Sequence, residues 1–228
     1  MMELNLQLFG GRGAGSGIEN TRDWLANEGG TTKGTAQPID ISQYEGWTLE
    51  QTEGRLRGLK HEELFVFDKN NQMVEAYKGD RRSVAFPAYL LNQEGITVTH
   101  GHPKGSEDFG GTFSWADINN MLNSKWAEHR AAASGQGEMN YIMRRTANAD
   151  PQGLRNKINR DFQRIDAKWR QVYRDAYNNA VNSGKTKAQA GHIARQKGVG
   201  VLNAYYKRTF PAFGFEYVTR KETYKYNR

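Results

Sequence analysis

The chain has 228 residues, a length that suits one packed domain with extensions, and its 37% hydrophobic and 25% charged residues place it among globular chains rather than disordered ones. It contains no cysteine, which excludes a disulfide framework and a thiolate metal site, so any bound metal falls to histidine and carboxylate. No segment approaches the ~18–20 apolar residues of a membrane-spanning helix, and the opening MMELNLQLFGGRG is too short an apolar run for a signal peptide. The expected protein is soluble, not exported and cytoplasmic.

The net charge of +7 hides an asymmetry. Residues 144–228 carry 19 Lys+Arg against 6 Asp+Glu, whereas residues 1–143 carry 13 against 19. A basic half invites nucleic acid or an acidic partner. Arg155, Lys157, Arg160, Arg164, Lys168, Arg170 and Arg174 are nevertheless spread among polar positions with no recognised nucleic-acid motif, which favours a solvated helix face.

In chain order, GGRGAGSG at 10–17 and GGTTKGTA at 29–36 bracket a short segment, so residues 1–45 read as a glycine-rich arm. Within it, Leu4, Leu6, Leu8 and Phe9 alternate as a strand or docking segment would. Residues 48–59 open with Thr48 and Gln51 at capping-box spacing and predict a short helix. ELFVFD, an Asn-rich turn and MVEAY predict a β-hairpin over 62–78. Residues 83–92 read as a helix or turn broken at Pro87, and GITVTHGHP as a strand ended by proline. FSWADINNMLNSKWAEHR has helical spacing at Ile118, Leu122 and Trp126, and NYIMRRT has strand character. A long helix over about 153–182 presents Leu154, Ile158, Phe162, Ile165, Trp169, Val172, Tyr173, Ala176 and Ala180 as one stripe. A second helix at 186–206 and a strand through FGFEYVTRKETY complete a mixed α/β chain.

The chemistry concentrates at His100-Gly101-His102-Pro103. Side chains alternate along a strand, so His100 and His102 point to one side and can share a metal. Ser114 and Asp117 follow a glycine-rich loop long enough to bring Asp117 back as a third ligand, with the fourth position open for water. Each residue also has a plainer role. Ser114 and Asp117 make a capping box for the next helix, and paired histidines in a strand are often held by hydrogen bonds alone. A cap leaves the two histidines unexplained. His61, His129 and His192 stand outside the pattern and read as surface or structural.

The segment EELFVFDKNNQMVEAYKGDRRSVAFPAYLLNQEGITVTHGHP…FSWAD resembles the JAB/MPN (JAMM-motif) metalloprotease family, including its RadC-like branch, over residues 60–145. That family's signature is an upstream Glu, His-x-His-Pro and Ser-x-x-Asp. The spacing from His102 to Ser114 is longer here than is usual in the family. The resemblance implies a JAB/MPN-like, cytidine-deaminase-like α/β fold over 46–228, a mixed sheet with flanking helices, and Zn2+ on His100, His102 and Asp117. It further implies Glu62 as the base that deprotonates a zinc-bound water and Ser114 as the group that stabilises the oxyanion. Glu62 shares strand parity with Asp68; Glu63, of opposite facing, is the alternative.

The opening LNLQLFGGRGAGSG resembles segments of tailed-phage head-morphogenesis proteins, which implies a phage or prophage origin and a virion-associated option. The expected activity is hydrolysis of an amide bond in a protein substrate, a phage head protein or a host conjugate. Two other classes remain open, a non-catalytic head or assembly protein that keeps the fold and a nucleic-acid-binding protein or nuclease acting through the basic half.

Overall fold

The computed structural model describes residues 36–81, 83–103, 111–134 and 139–221. Its strands are β1 (Gln37–Pro38), β2 (Glu63–Phe67), β3 (Met73–Lys78), β4 (Thr97–His102), β5 (Glu128–Ala133), β6 (Met139–Arg145) and β7 (Phe215–Lys221). They form one mixed seven-stranded sheet in the order β1-β3-β2-β4-β5-β6-β7, in which β4 and β5 are parallel and the other neighbours antiparallel. The helices are α1 (Leu49–Gly58), α2 (Trp115–Asn123), α3 (Pro151–Asn182) and α4 (Lys187–Thr209). Among the described residues no helix is long and apolar enough to cross a membrane.

Local chemistry explains most boundaries. The β2–β3 hairpin turns at Asn71 with φ 61°, a left-handed conformation that Asn tolerates better than most residues. Thr48 and Gln51 form the reciprocal capping box that starts α1. Pro151 at the start of α3 follows the N-cap Asp150, which accepts from the Gly153 N–H. The α3–α4 hairpin packs closely because Gly198 lies against the Trp169 indole, where a Cβ would come within 2.5 Å of Nε1.

One face of the sheet carries α1. Tyr44, Leu56, Phe65, Phe67, Ala76 and Ala132 make its core. The other face carries α2, α3 and α4 over a larger core that includes Leu64, Val98, Trp126, Ala131 and Tyr141. A three-layer arrangement results, in which alternation along each strand assigns every side chain to one layer.

Two sequence expectations change. The helix expected to continue through Trp126 to Arg130 ends at Asn123, because Ser124 is extended (φ −100°, ψ 172°) and Trp126 is buried with its Nε1–H donated to the Leu90 carbonyl at 2.7 Å. Glu128–Ala133, with its helix-favouring alanines, is instead the strand β5. Only small side chains fit there, since Ala131, Ala132 and Ala133 are fully buried between layers, and tertiary packing overrides propensity. The second concerns the arm. Residues 1–35, including Leu4, Leu6, Leu8 and Phe9, lie outside the described residues. Residues 36–45, however, belong to the fold, because β1 pairs with β3 and Tyr44 is buried edge-on against Phe65 at 5.4 Å.

Beneath α1 lies a buried polar cluster. Glu53 is fully buried and receives Arg130 through two bonds, Nε to Oε1 at 2.5 Å and an η-nitrogen to Oε2 at 3.1 Å. Asn140 donates to the same carboxylate and Thr99 reaches it at 3.5 Å. Glu53→Gln removes the charge opposite a buried guanidinium, and a broken buried pair costs about 3–5 kcal/mol. Equilibrium urea denaturation should therefore show a loss of about 3 kcal/mol. A loss below about 1 kcal/mol, the scale of an exposed pair, would mean that Glu128 alone satisfies Arg130.

Candidate metal centre

His100 and His102 close β4, the fourth strand in the chain and the middle one of the sheet, and point to the α2 side. Ser114 is the N-cap of α2 and Asp117 occupies its first turn. The parallel β4–β5 connection passes through α2, which sets the helix start beside the strand end. His100, His102 and Asp117 thereby form a group whose ligand atoms all lie within 4.8 Å of one another.

The two carboxylate–imidazole distances come close to those around a metal ion, whereas the two imidazole nitrogens sit at hydrogen-bond distance and must open to admit one. The two Nε2 atoms are 2.8 Å apart; His100 Nε2 is 3.2 Å from Asp117 Oδ1 and His102 Nε2 is 3.5 Å from Oδ2. Ligand atoms of a tetrahedral ion with bonds of ~2.0–2.2 Å lie about 3.3–3.6 Å apart. Two imidazole nitrogens and a carboxylate converging in a buried space need a shared proton or a cation between them. The group can bind a metal ion.

Hydrogen bonds define each ligand's orientation. The Gly111 carbonyl can only accept, so His102 donates Nδ1–H to it at 2.7 Å and turns Nε2 into the site. Asp117 Oδ2 accepts from both the Ser114 N–H and its Oγ–H, each at 2.7 Å, while Ser114 Oγ accepts the Asp117 N–H at 3.2 Å. The capping-box residue and the third ligand candidate are therefore the same aspartate, and its Oδ1 faces His100. The Nδ1 of His100 is buried and has no hydrogen-bond partner among the described residues.

Electrostatics points the same way. Burial would keep His102 neutral, but its hydrogen bond to Asp117, the Asp117 charge and the more distant Glu62 push it up to about 9. Burial would likewise raise Asp117, and the two imidazoles hold it well below the usual carboxylate range.

Glu62 lies just before β2, and its backbone continues the hairpin ladder through Asp80 and Gly79. Leu64 pairs with His100, so alternation sets Glu62 beside His102 on the same face. Glu63 faces the other layer, buried and bound to Arg55 and to His61 at 2.9 Å. Most of the glycine-rich segment between Pro103 and Gly111 lies outside the described residues.

One neighbour was not anticipated as part of this centre. His129, read from sequence only as surface or structural, is buried with its ring 5.0 Å from that of His100 and 5.3 Å from Phe113. Burial and the neighbouring His100 lower it to about 3, so it stays neutral and donates Nδ1–H to the Asp117 carbonyl at 3.1 Å. Had EHRAAA been read as a strand, its pairing in step with Ala131 and Ala133 would have placed it on the His100 face. His192 lies on α4 beside Gln196.

No family model, curated protein or solved structure matches the chain.

Metal binding should release protons. At pH 7 His102, at about 9, holds a proton that an incoming cation must displace. Lowering the pH strengthens that proton's hold and weakens the metal's, so affinity should rise about tenfold per pH unit up to about 9. Calorimetric titration in two buffers of different ionisation enthalpy should find about one proton released per metal at pH 7. Release near zero would show that His102 is already neutral.

Proposed function

We propose that the protein is a zinc-dependent peptidase or isopeptidase of the JAB/MPN type, which hydrolyses an amide bond in a protein substrate. The observation that carries this reading is Glu62, a carboxylate outside the ligand group yet on its face, whose charge is felt by His102. Three ligand candidates among the described residues also leave a fourth position for water or substrate, as catalytic zinc sites do and closed structural sites do not.

Two imidazoles and one carboxylate suit zinc better than calcium or magnesium, which prefer all-oxygen shells. Zinc bound there supplies Lewis acidity and lowers the pKa of water toward ~7. Glu62 is the group that takes a proton from water and returns it to the departing amine. Ser114 holds Asp117 through its hydroxyl proton, so its primary role is to orient the ligand. To stabilise an oxyanion it must turn that proton from Asp117 to the substrate oxygen.

A second reading concerns partners and rests on the helical hairpin. Residues 151–209 carry 13 Lys+Arg against 3 Asp+Glu, and Arg160, Lys168, Arg174, Lys197 and Arg208 are exposed. Such a surface offers phosphate contacts whose binding weakens steeply with salt.

Glu62→Gln should lower hydrolysis of peptide or isopeptide substrates by about 10²–10⁴ while zinc content stays at one per chain. His102→Ala should lose zinc and activity together. Glu63→Gln, on the opposite face, should leave the rate unchanged. Full activity in Glu62→Gln, measured beside metal content, would remove the general-base assignment.

A further inference from the structure

Between the end of β4 and the start of α2 the described residues are Pro103 and a short piece, residues 111–114, and that piece holds three of the site's elements. Gly111 supplies the carbonyl that orients His102, Phe113 packs on His129, and Ser114 caps α2 and grips Asp117. None of these contacts restrains the segment from behind. That restraint comes from the far end of the chain.

Tyr217, on β7, lies on the site side of the sheet in a row with Val98, His129 and Met143. Its hydroxyl donates to Asn203 Oδ1 on α4 at 2.6 Å. A phenol has one proton, so the 2.6 Å contact between Tyr217 and Thr112 Oγ1 is the threonine hydroxyl donating to the phenol oxygen. Asn203 also bonds the Tyr141 hydroxyl on β6. Tyr206 of α4 adds a 3.4 Å bond to the Phe113 carbonyl. Thr112 and Tyr217 are both more than nine-tenths buried. In so dry a place an unmade hydroxyl bond costs the full desolvation of that group, so the chain of bonds defines one position for Thr112.

We propose that Tyr217 is a positioning residue of the metal centre. Its hydroxyl, directed by Asn203, pins Thr112, and through the adjoining peptide it holds the Gly111 carbonyl where it fixes the His102 ring. This inference rests on the metal-centre reading above and extends it to residues about a hundred positions downstream of the ligands. The α4–β7 region is thus part of the site's construction. Outer hydrogen-bond partners of metal ligands commonly matter by 10–100-fold in affinity.

Tyr217→Phe removes the hydroxyl alone and keeps the ring that packs against Phe113, Tyr206 and Phe210. Zinc affinity, measured by chelator competition on folded full-length protein, should fall about tenfold. In the metal-free protein the His102 Nδ1–H resonance, protected by the Gly111 carbonyl, should exchange faster with solvent. Thr112→Val should reproduce both effects, and the double variant should lose no more than the larger single one, because both remove the same bond. Tyr205→Phe also deletes a buried hydroxyl from α4, one set toward Asp161 on α3 and not toward Thr112, and should move neither readout. Wild-type affinity together with wild-type Nδ1–H exchange in Tyr217→Phe overturns the proposal. If the wild-type protein takes up no zinc, the metal reading fails, and the exchange of the His102 proton alone then decides the role of Tyr217.

Discussion

Two strands can lie parallel in a sheet only if the chain crosses over between them, and the single parallel pair in this sheet, β4 with β5, organises everything around it. The crossover carries α2 onto one face and starts it beside the end of β4. His100 and His102 arrive from the strand, Asp117 from the first turn of the helix. A helix start favours a carboxylate, because its unpaired N–H groups point outward, and Asp117 uses that environment twice, as cap and as ligand candidate. Asp117, 15 positions beyond His102 in sequence, thus meets the two histidines without any distortion of the regular elements.

Strand β4 also separates two polar clusters that would otherwise interfere. His100 and His102 face α2, while Thr99 between them faces α1 and touches Glu53. On the α1 side the charges are matched within the protein, Glu53 against Arg130, with hydrogen bonds from Asn140. On the α2 side they are not matched. Asp117 faces two imidazoles that need a shared cation, and a proton on His102 meets that need when no metal does. The contrast separates a buried cluster whose charges the protein matches itself from one that could hold an external ion.

The C-terminal elements do more than cover the sheet. The 32-residue α3 and the 23-residue α4 form an antiparallel pair whose aromatic stripe, with Trp169 stacked on Tyr173, buries the hairpin interior. From α4 and β7 come the hydroxyls that reach the segment preceding Ser114. Since a buried hydroxyl is costly to leave unpaired, these contacts constrain the site's entrance segment more tightly than apolar packing alone.

The sequence by itself determined the elements whose signals are local. The capping boxes at Thr48 and Ser114, the Asn-rich turn of the hairpin, the β-branched run before His100 and the apolar stripe of α3 all carry their explanation within a few residues. So did the opposite facing of Glu62 and Glu63, because strand alternation has a strict period of two. Tertiary structure decided the rest. Ala131–Ala133 became a strand because only small residues fit between two layers, a constraint invisible to helix propensity. His129 gained its place under His100 only once that strand was paired. Asp117 can serve as cap and as ligand candidate together, since the crossover brings its carboxylate to both imidazoles while Oδ2 still accepts from Ser114. The Thr112–Tyr217 bond joins positions 105 residues apart, and a contact between such distant residues leaves no trace in local periodicity because it exists only after the sheet has closed.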